Sequence, residues 1–374
     1  MPGPGEKVVI PAGFTVTLDT DITLDSDLDV QGTLVPNGKT VTLTGSAAQT
    51  LKGSPPNMTF YNLVVNKTNA GDTVTIDGKL KVTKKLTITK GKLVSASDYG
   101  DVEIGPAGTL ELTSDITVGG NWTNNGAFIP NSHAVTFDGT TLQTLDGSVA
   151  TSFYRWVINA TAQVFVAAVP TAADSVDNSG VLSQTQAVNN ATVNFLQIST
   201  DKYRGVDIDA TGENLGAVTV AISGNHAQCT GDAGSPPYRN RCFRVNVTTA
   251  PAAAATLTFY TTAAEDDIAT GDELYLYNDN TFCYWADLDA ACGAGAGDPC
   301  TKSVENLQAG DNYFLIGGAD SPNAVTLRSF EALNLSDWVI PLGGLVLLDI
   351  GVAGLIWRRM RRNSKKLSGS SQVG

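Results

Sequence analysis

The cysteines are the residues whose spacing most directly implies chemistry. All five lie between positions 229 and 300, at Cys229, Cys242, Cys283, Cys292 and Cys300. Cys229 and Cys242 flank a turn-rich stretch between two strand-like runs, which predicts a disulfide that closes a hairpin. Cys292 and Cys300 could close a smaller loop, with Cys283–Cys300 as the alternative. No pair has the close spacing of a zinc knuckle, so disulfides formed in an oxidising compartment are predicted.

Carboxylates are plentiful but show no catalytic grouping. Acidic pairs stand at Asp207 with Asp209 and at 265–267, and His226 is the only histidine beyond the first half of the chain. A polysaccharide-degrading enzyme needs convergent carboxylates, one of them with a raised pKa. Close pairs of this kind are usually solvated charges. The prediction is therefore a non-enzymatic protein, with a polysaccharide-degrading or glycan-binding β-helix protein as the alternative.

Two charged clusters could bind ligands but have simpler explanations. Aspartates alternate with apolar residues at Asp19, Asp21, Asp25, Asp27 and Asp29. This alternation places at least the last three on one outer face, where calcium is conceivable, but an exposed strand explains it without a cofactor, and none is predicted. Lysines cluster at Lys79, Lys81, Lys84, Lys85, Lys90 and Lys92. They either dock an anionic glycan or balance an acidic neighbouring strand, and the second interpretation is favoured.

The overall charge excludes one class of partner. The chain has 374 residues with 37 Asp and Glu against 24 Lys and Arg, a net charge of -13. Nucleic-acid binding is not expected, because it depends on a basic face that displaces counterions from phosphates. Charged residues make up only 16% of the chain, which is too few for a disordered protein.

The C-terminal region has the pattern of a membrane anchor. Residues 338–357 carry a single charge and are flanked by Trp338 and Trp357. As a helix they would span about 30 Å, the thickness of a bilayer's hydrocarbon core. Basic residues follow at Arg358, Arg359, Arg361 and Arg362. Such a block marks the cytoplasmic side, which predicts a single-pass cell-membrane protein with an extracellular N-terminal part.

Asp349 is the one acidic residue in this stretch. It would lie within the span, where it either contacts a transmembrane partner protein or is tolerated in a protonated form.

The N-terminal sequence does not have the pattern of a signal peptide. The chain opens MPGPGEKVVIPAG, which has neither a charged n-region nor an apolar h-region. The natural start is therefore expected further upstream.

An internal repeat is the strongest organisational signal. Residues 32–54 and 126–148 align at an offset of 94 with 11 identities in 23 positions. FYNLVVN (60–66) and FYRWVIN (153–159) align after one deletion. The two copies extend over 8–100 and 102–168. His133 aligns with Lys39, so its position is expected on a solvated face.

Strand patterns fill both copies and the region after them. Short runs rich in Thr and Val alternate apolar with polar residues between Gly, Asn and Asp turns. An all-β fold is predicted: a β-solenoid over 1–171 and an antiparallel β-sandwich over 172–330, joined by a linker at 172–180. A juxtamembrane linker (331–337), the transmembrane helix (338–357) and a basic cytoplasmic tail (358–374) follow.

These motifs resemble a class of surface-anchored bacterial proteins. The unit VVIPAG…VQGTL…VTLTG…TFYNLVVN, followed by GGNWTNNGAF, is similar to the adhesin-like β-helix repeats of modular surface proteins from Chloroflexota and other environmental bacteria. Residues 203–330 resemble their membrane-proximal β-domain, and SFEALNLSDW with the following span resembles their C-terminal sorting or anchoring segment. The resemblance implies an adhesin or a structural envelope component, with extracellular glycans or envelope proteins as partners. It carries over no functional residues.

Overall fold

The computed structural model describes residues 6–199, 203–224, 238–261, 272–277, 286–292, 300–305 and 307–318. They belong to one compact unit, Met1–Val325. Every regular element among them is a β-strand, and within these ranges no helix is long and apolar enough to cross a membrane.

The first twenty strands succeed one another with short turns. They are β1 (Val8–Ile10), β2 (Thr15–Thr17), β3 (Ile22–Leu24), β4 (Leu28–Val30), β5 (Thr33–Val35), β6 (Thr40–Leu43), β7 (Gln49–Gly53), β8 (Thr59–Asn66), β9 (Thr73–Gly78), β10 (Lys81–Ser95), β11 (Asp98–Leu112), β12 (Ile116–Val118), β13 (Trp122–Asn124), β14 (Ala127–Ile129), β15 (Ala134–Phe137), β16 (Gln143–Asp146), β17 (Ser152–Ile158), β18 (Gln163–Val166), β19 (Thr171–Asn178) and β20 (Val181–Asn189).

Nine more strands follow at wider intervals. They are β21 (Thr192–Phe195), β22 (Val206–Asp209), β23 (Asn214–Ser223), β24 (Tyr238–Val247), β25 (Ala255–Phe259), β26 (Asp272–Tyr277), β27 (Ala286–Cys292), β28 (Cys300–Val304) and β29 (Gly310–Gly318).

The first twenty strands form a β-solenoid of about nine turns, as the sequence predicts. Parallel pairing stacks them into three faces, each visited once per turn. Face one contains β2, β5, the beginnings of β8, β10 and β11, then β12, β15, β17 and β19. Face two contains β3, β6, the later part of β8, the middles of β10 and β11, then β13, β16, β18 and β20.

Face three is shorter than the other two. It contains β1, β4, β7, β9, the ends of β10 and β11, and β14. β10 and β11 run along all three faces, with register irregularities between Val82 and Lys85 and between Ile88 and Lys90. Such irregularities bend a strand, so they allow one strand to turn two corners.

Alternation along each strand builds the core. In β6 the residues Val41 and Leu43 are buried while Thr40 and Thr42 are only partly covered. Period-two alternation points every second side chain into the coil, and β-branched residues suit the pleated backbone. Stacking then aligns each buried row with the row above, because paired residues of parallel strands face the same way. Val41, for example, pairs with Ile22 on one side and Leu63 on the other.

The repeat does not correspond to a whole number of turns. β3 and β12 occupy equivalent positions at the offset of 94, but β3 lies on face two and β12 on face one. Likewise β7 is on face three and its equivalent β16 on face two. Four turns from β3 end in the middle of β11, and β12 comes two-thirds of a turn later. The copies are therefore related by four and two-thirds turns.

Aromatic residues distinguish the core of the second copy. Leu28, Leu34, Leu43 and Leu63 of the first copy are replaced by Trp122, Phe128, Phe137 and Trp156. The new rings pack on one another and on Phe153, with Trp122 and Phe128 edge to face at 4.9 Å and Phe153 and Trp156 stacked at 5.2 Å. The rings extend from β13 and β14 to β15 and β17 in the following turns.

The solenoid passes directly into antiparallel structure. β20 pairs in parallel with β18 on one side and antiparallel with β23 on the other, and β23 continues to β24, β29, β26 and β27. β21, β22, β25 and β28 form a second antiparallel sheet. Phe259 of the second sheet contacts Phe243 and Phe314 of the first, at 4.9 and 4.7 Å.

One prediction in this region is wrong. Residues 172–180, expected as a linker, lie mostly in β19, which pairs with β17 and continues face one. The stretch is small and polar because most of its side chains point outward, while Ala172, Val176 and Asn178 are buried. The strand pattern predicted for the region after the repeat is confirmed by β21 to β29 within the described residues.

Candidate functional site

Polar side chains at the solenoid corners hold adjacent turns together. Asp21 accepts the backbone N–H of Thr40 at 2.8 Å, and its equivalent Asp115 accepts that of Ala134 at 2.8 Å. Asn37 donates to the Leu18 carbonyl at 3.0 Å, a bond repeated by its equivalent in the second copy. These bonds satisfy backbone groups that the corners remove from the ladders. The repeated polar residues are thus structural.

Two buried glutamines perform the same role inside the core. Gln49 donates to the carbonyls of Leu24 and Ser26, both at 3.1 Å. Gln143, its equivalent, donates to Val118 and Gly120 in the same arrangement, at 2.9 and 2.6 Å. Each amide closes a corner of the preceding turn.

Lys67 is a buried cation that sequence reasoning missed. It is only 2% exposed, and its Nζ donates to the Gln49 Oε1 at 2.6 Å and to the Thr44 carbonyl at 2.5 Å. Burial lowers its pKa below the ordinary 10.5, partly offset by the charges of Asp72 and Asp25. The equivalent residue in the second copy is an alanine, Ala160. Ala160 is exposed, so the repeat contains no sign that Lys67 is buried.

Three acids of the aspartate row have structural partners. Asp21 and Asp27 each accept a backbone N–H of the next turn. Asp29, expected on the outer face with its neighbours, is only 5% exposed because Lys7 covers it with an ion pair of 2.7 Å. That hydrogen bond from Lys7 holds the pKa of Asp29 below its usual range. In the described ranges no group of three or more potential metal ligands is present.

The lysine cluster faces an acidic strand. On β10, Lys84 lies 3.7 Å from Asp101 and Lys85 lies 2.6 Å from Glu103, both acids being on β11. Lys92 forms an ion pair with Glu111, whose pKa this contact lowers. The interpretation that these lysines balance a neighbouring strand is confirmed for three of the six.

A cleft of about 560 Å³ lies where the last solenoid turns meet the antiparallel sheet. Its solenoid side is the corner at 160–163 together with Val181 of β20. Its sheet side includes Ala221, Arg244 and Tyr313, which are paired neighbours across β23, β24 and β29.

The sheet side of the cleft is polar and internally bonded. Tyr313 donates its hydroxyl to the Asp311 carboxylate at 3.2 Å, and Asn246 donates to the same carboxylate at 2.7 Å. Arg244 approaches Asp311 at 4.0 Å. Burial, followed by the charge of Asp311, raises the pKa of Tyr313. Polyols can hydrogen-bond to the arginine and the phenol, and also to the hydroxyl and amide groups of Thr161, Ser223 and Gln163. These groups do not include a nucleophile paired with a general base.

The acidic pair of β22 is engaged in structural bonds. Asp207 accepts hydrogen bonds from the Tyr260 hydroxyl at 2.8 Å and from Asn194 at 2.5 Å. Asp209 accepts both the hydroxyl and the backbone N–H of Thr211, and the hydroxyl bond lowers its pKa. A general acid needs the opposite shift. The other pair, at 265–267, and His226 lie outside the described residues.

Only some of the five cysteines lie among the described residues. Cys242 and Cys300 are both fully buried, in β24 and β28. Which cysteines pair with which stays a prediction. Cys229, Cys283 and the side chain of Cys292 lie outside the described ranges. Tyr275 of β26 is 1% exposed and packs in the core.

The remaining predicted residues lie beyond the described part of the chain. These are Asp349 and the anchor residues Trp338, Trp357, Arg358, Arg359, Arg361 and Arg362. His133, expected on a solvated face, is partly exposed, with its Nδ1 3.7 Å from Asp115.

Comparison with known proteins identifies no family for this chain. No protein-family model, curated protein or solved structure matches the chain.

Proposed function

We propose that the protein is a non-enzymatic cell-surface protein, an adhesin or a structural envelope component. The observation that carries the proposal is the use of polar groups in the solenoid: the acids and amides that the two copies share, and several lysines, bond to adjacent turns. A fold built this way presents a fixed surface. The described acids of the alternative enzyme site have structural partners, which argues against polysaccharide cleavage.

The C-terminal sequence supplies the means of display. The apolar stretch 338–357 with its flanking tryptophans and following arginines would anchor the chain and leave residues 1–330 outside the cell membrane. The two antiparallel sheets, which we propose to be a sandwich, would form the membrane-proximal module. Repeated weak contacts from a displayed surface can add up to firm attachment.

Protease treatment of intact cells tests this display. Full-length protein should fractionate with membranes and lose its N-terminal part to added protease. A variant that lacks 338–374 should leave the membrane fraction. Full-length protein that stays intact until the cells are lysed would contradict the proposal.

The junction cleft favours glycan binding as a second candidate function. Arg244 and Tyr313 offer a planar cation and an aromatic ring beside several hydroxyl groups, which is a suitable surface for a sugar. Titration of the purified protein with a panel of oligosaccharides would test this, with Arg244→Ala as the variant expected to lose binding. Equal binding by Arg244→Ala would exclude the cleft.

If the protein is a structural envelope component, it should assemble with other membrane proteins. Purification in mild detergent should recover stoichiometric membrane partners, and Asp349→Leu should release them if Asp349 contacts a partner helix. Recovery of the protein alone would favour independent display.

A further inference from the structure

Six Asn-x-Thr triplets lie among the described residues, none with proline in the middle. They begin at Asn57, Asn66, Asn121, Asn159, Asn190 and Asn246. This is the acceptor sequence for N-linked glycosylation, in which the asparagine lies on the surface of an exported protein. The structure shows which of the six are suited to carry a sugar.

Five of the six asparagines are exposed at corners of the solenoid. Asn57 precedes the first strand residue of β8 by two positions, and Asn66 ends that strand. Asn121 comes directly before β13, Asn159 directly after β17 and Asn190 directly after β20. Corners lie outside the flat strand stacks, so a bulky group there displaces no ladder bond.

The hydrogen bonds of three of these asparagines use the amide oxygen and not the reactive nitrogen. The Oδ1 of Asn121 accepts the N–H of Thr144 at 2.8 Å, and that of Asn190 accepts the N–H of Gly212 at 2.7 Å. Asn159 accepts the N–H of the next residue at 2.8 Å. Since the partners are N–H donors, the bonded atom is the oxygen. Within the described ranges, none of the five Nδ2 groups donates a hydrogen bond to the protein.

One acceptor triplet is present in both copies of the repeat. Asn66 and Asn159 are equivalent, and Thr68 and Thr161 follow them, although the residue between changes from lysine to alanine. Asn66 makes no side-chain hydrogen bond to any other described residue. Packing therefore gives no reason for an asparagine there.

Asn246 differs from the other five. It is half-buried on β24, and its Nδ2 donates to the Asp311 carboxylate at 2.7 Å. The hydroxyl of Thr248 donates to the Leu215 carbonyl at 3.2 Å. Both recognition groups of this triplet are engaged, so it serves as an internal control.

We propose that Asn57, Asn66, Asn121, Asn159 and Asn190 are N-glycosylated and that Asn246 is not. The donor is an oligosaccharide linked through phosphate or pyrophosphate to a membrane lipid. The asparagine Nδ2 attacks the anomeric carbon, a C–N bond forms, the anomeric C–O bond breaks, and the lipid phosphate leaves while Nδ2 loses a proton. The inference rests on the proposed extracellular location, because transfer acts on exported chains.

Glycopeptide mass spectrometry of full-length protein from its native membrane tests the proposal. Peptides that contain the five corner asparagines should carry sugar masses, and the Asn246 peptide should be unmodified. Each Asn→Gln substitution at the five sites should increase the electrophoretic mobility by one step, whereas Asn246→Gln should not change it. Unmodified peptides at all five sites would overturn the proposal, and a sugar on Asn246 would overturn the argument from amide accessibility.

Protease treatment of the same intact cells separates the two proposals. An ectodomain that is cleaved outside the cell but carries no sugar would refute glycosylation and leave surface display standing. An unmodified chain that is shielded until lysis would refute both.

Discussion

Two buried tryptophans show how much a single polar atom can matter. Trp122 and Trp156 are both 0% exposed in the aromatic core of the second copy. The indole N–H of Trp122 donates to the Thr151 hydroxyl at 3.1 Å. The indole N–H of Trp156 is buried without a hydrogen-bond partner among the described residues. An unsatisfied buried donor costs about 1–3 kcal/mol. The buried ring of Trp156 therefore stabilises the core by packing, and its unpaired N–H offsets part of that stabilisation.

This contrast predicts different effects for the same substitution. Trp122→Phe should destabilise the protein more than Trp156→Phe, by about 1–3 kcal/mol, because only the first leaves a buried Thr151 hydroxyl without its partner. Denaturant unfolding of both variants measures the difference. Equal losses would show that ring volume alone sets the cost.

The buried Lys67 predicts a dependence of stability on alkaline pH. Burial lowers the folded pKa below the ordinary 10.5, so the unfolded chain binds more protons between the two values. The free energy of unfolding should therefore rise with pH through that window. Lys67→Met should abolish this rise, and Lys79→Met, which removes an exposed lysine, should retain it. Unfolding midpoints measured up to pH 10.5 would decide, and parallel profiles for all three proteins would contradict the assignment.

At the scale of elements, charge fixes the register of the two longest strands. β10 presents lysines and β11 presents acids on every face: Lys81 pairs with Asp98 in register, Lys85 bonds to Glu103, and Lys92 pairs with Glu111. A slip of one residue would separate these partners and turn the apolar rows outward. Individual exposed pairs contribute little, but their arrangement on all three faces favours one alignment.

A charge exchange tests this ladder. Lys85→Glu and Glu103→Lys should each destabilise the protein, and the double variant should recover part of the loss, with a coupling energy of about 0.2–1 kcal/mol since both side chains are substantially exposed. High salt should reduce the coupling. A double-mutant cycle at low and high salt measures it, and additive losses would show that the pair is not coupled.

Sequence patterns predict these elements better than they predict the connections. Alternation identified the solenoid strands and the repeat because inward and outward residues differ in polarity. It failed at 172–180, where small outward-facing residues hide a strand. It also placed Asp29 on an exposed face, since Lys7 covers it from another turn. The hydrogen bonds between turns and the cleft at Ala221 could not be predicted, because they depend on which residues lie above one another in the stack. That stacking depends on the lengths of the turns, which the sequence repeat does not reveal.

At the scale of the molecule, stability is distributed along the stack of turns. In a solenoid each turn contacts mainly its neighbours, so terminal turns are less protected than central ones. Among the described strands β2 pairs with β5 alone, and all three of its residues are exposed. β10 pairs with β8, β9 and β11 along its length.

Hydrogen exchange should follow this gradient. Backbone amides of 15–17 should exchange much faster than the amides of 85–88, which bond within the stack on both sides. Exchange mass spectrometry of peptides from the two segments provides the measurement. Uniform protection along the solenoid would mean that it opens as a single cooperative unit.

The fractional number of turns between the repeat copies determines what duplication can achieve here. Because the copies are offset by a third of a turn from exact stacking, each outward group and its duplicate point in directions about a third of a circle apart. A straight polymer that lies along one side of the molecule would meet only one of any such pair. The duplication therefore places two similar outer surfaces on different sides of the solenoid, and not one above the other.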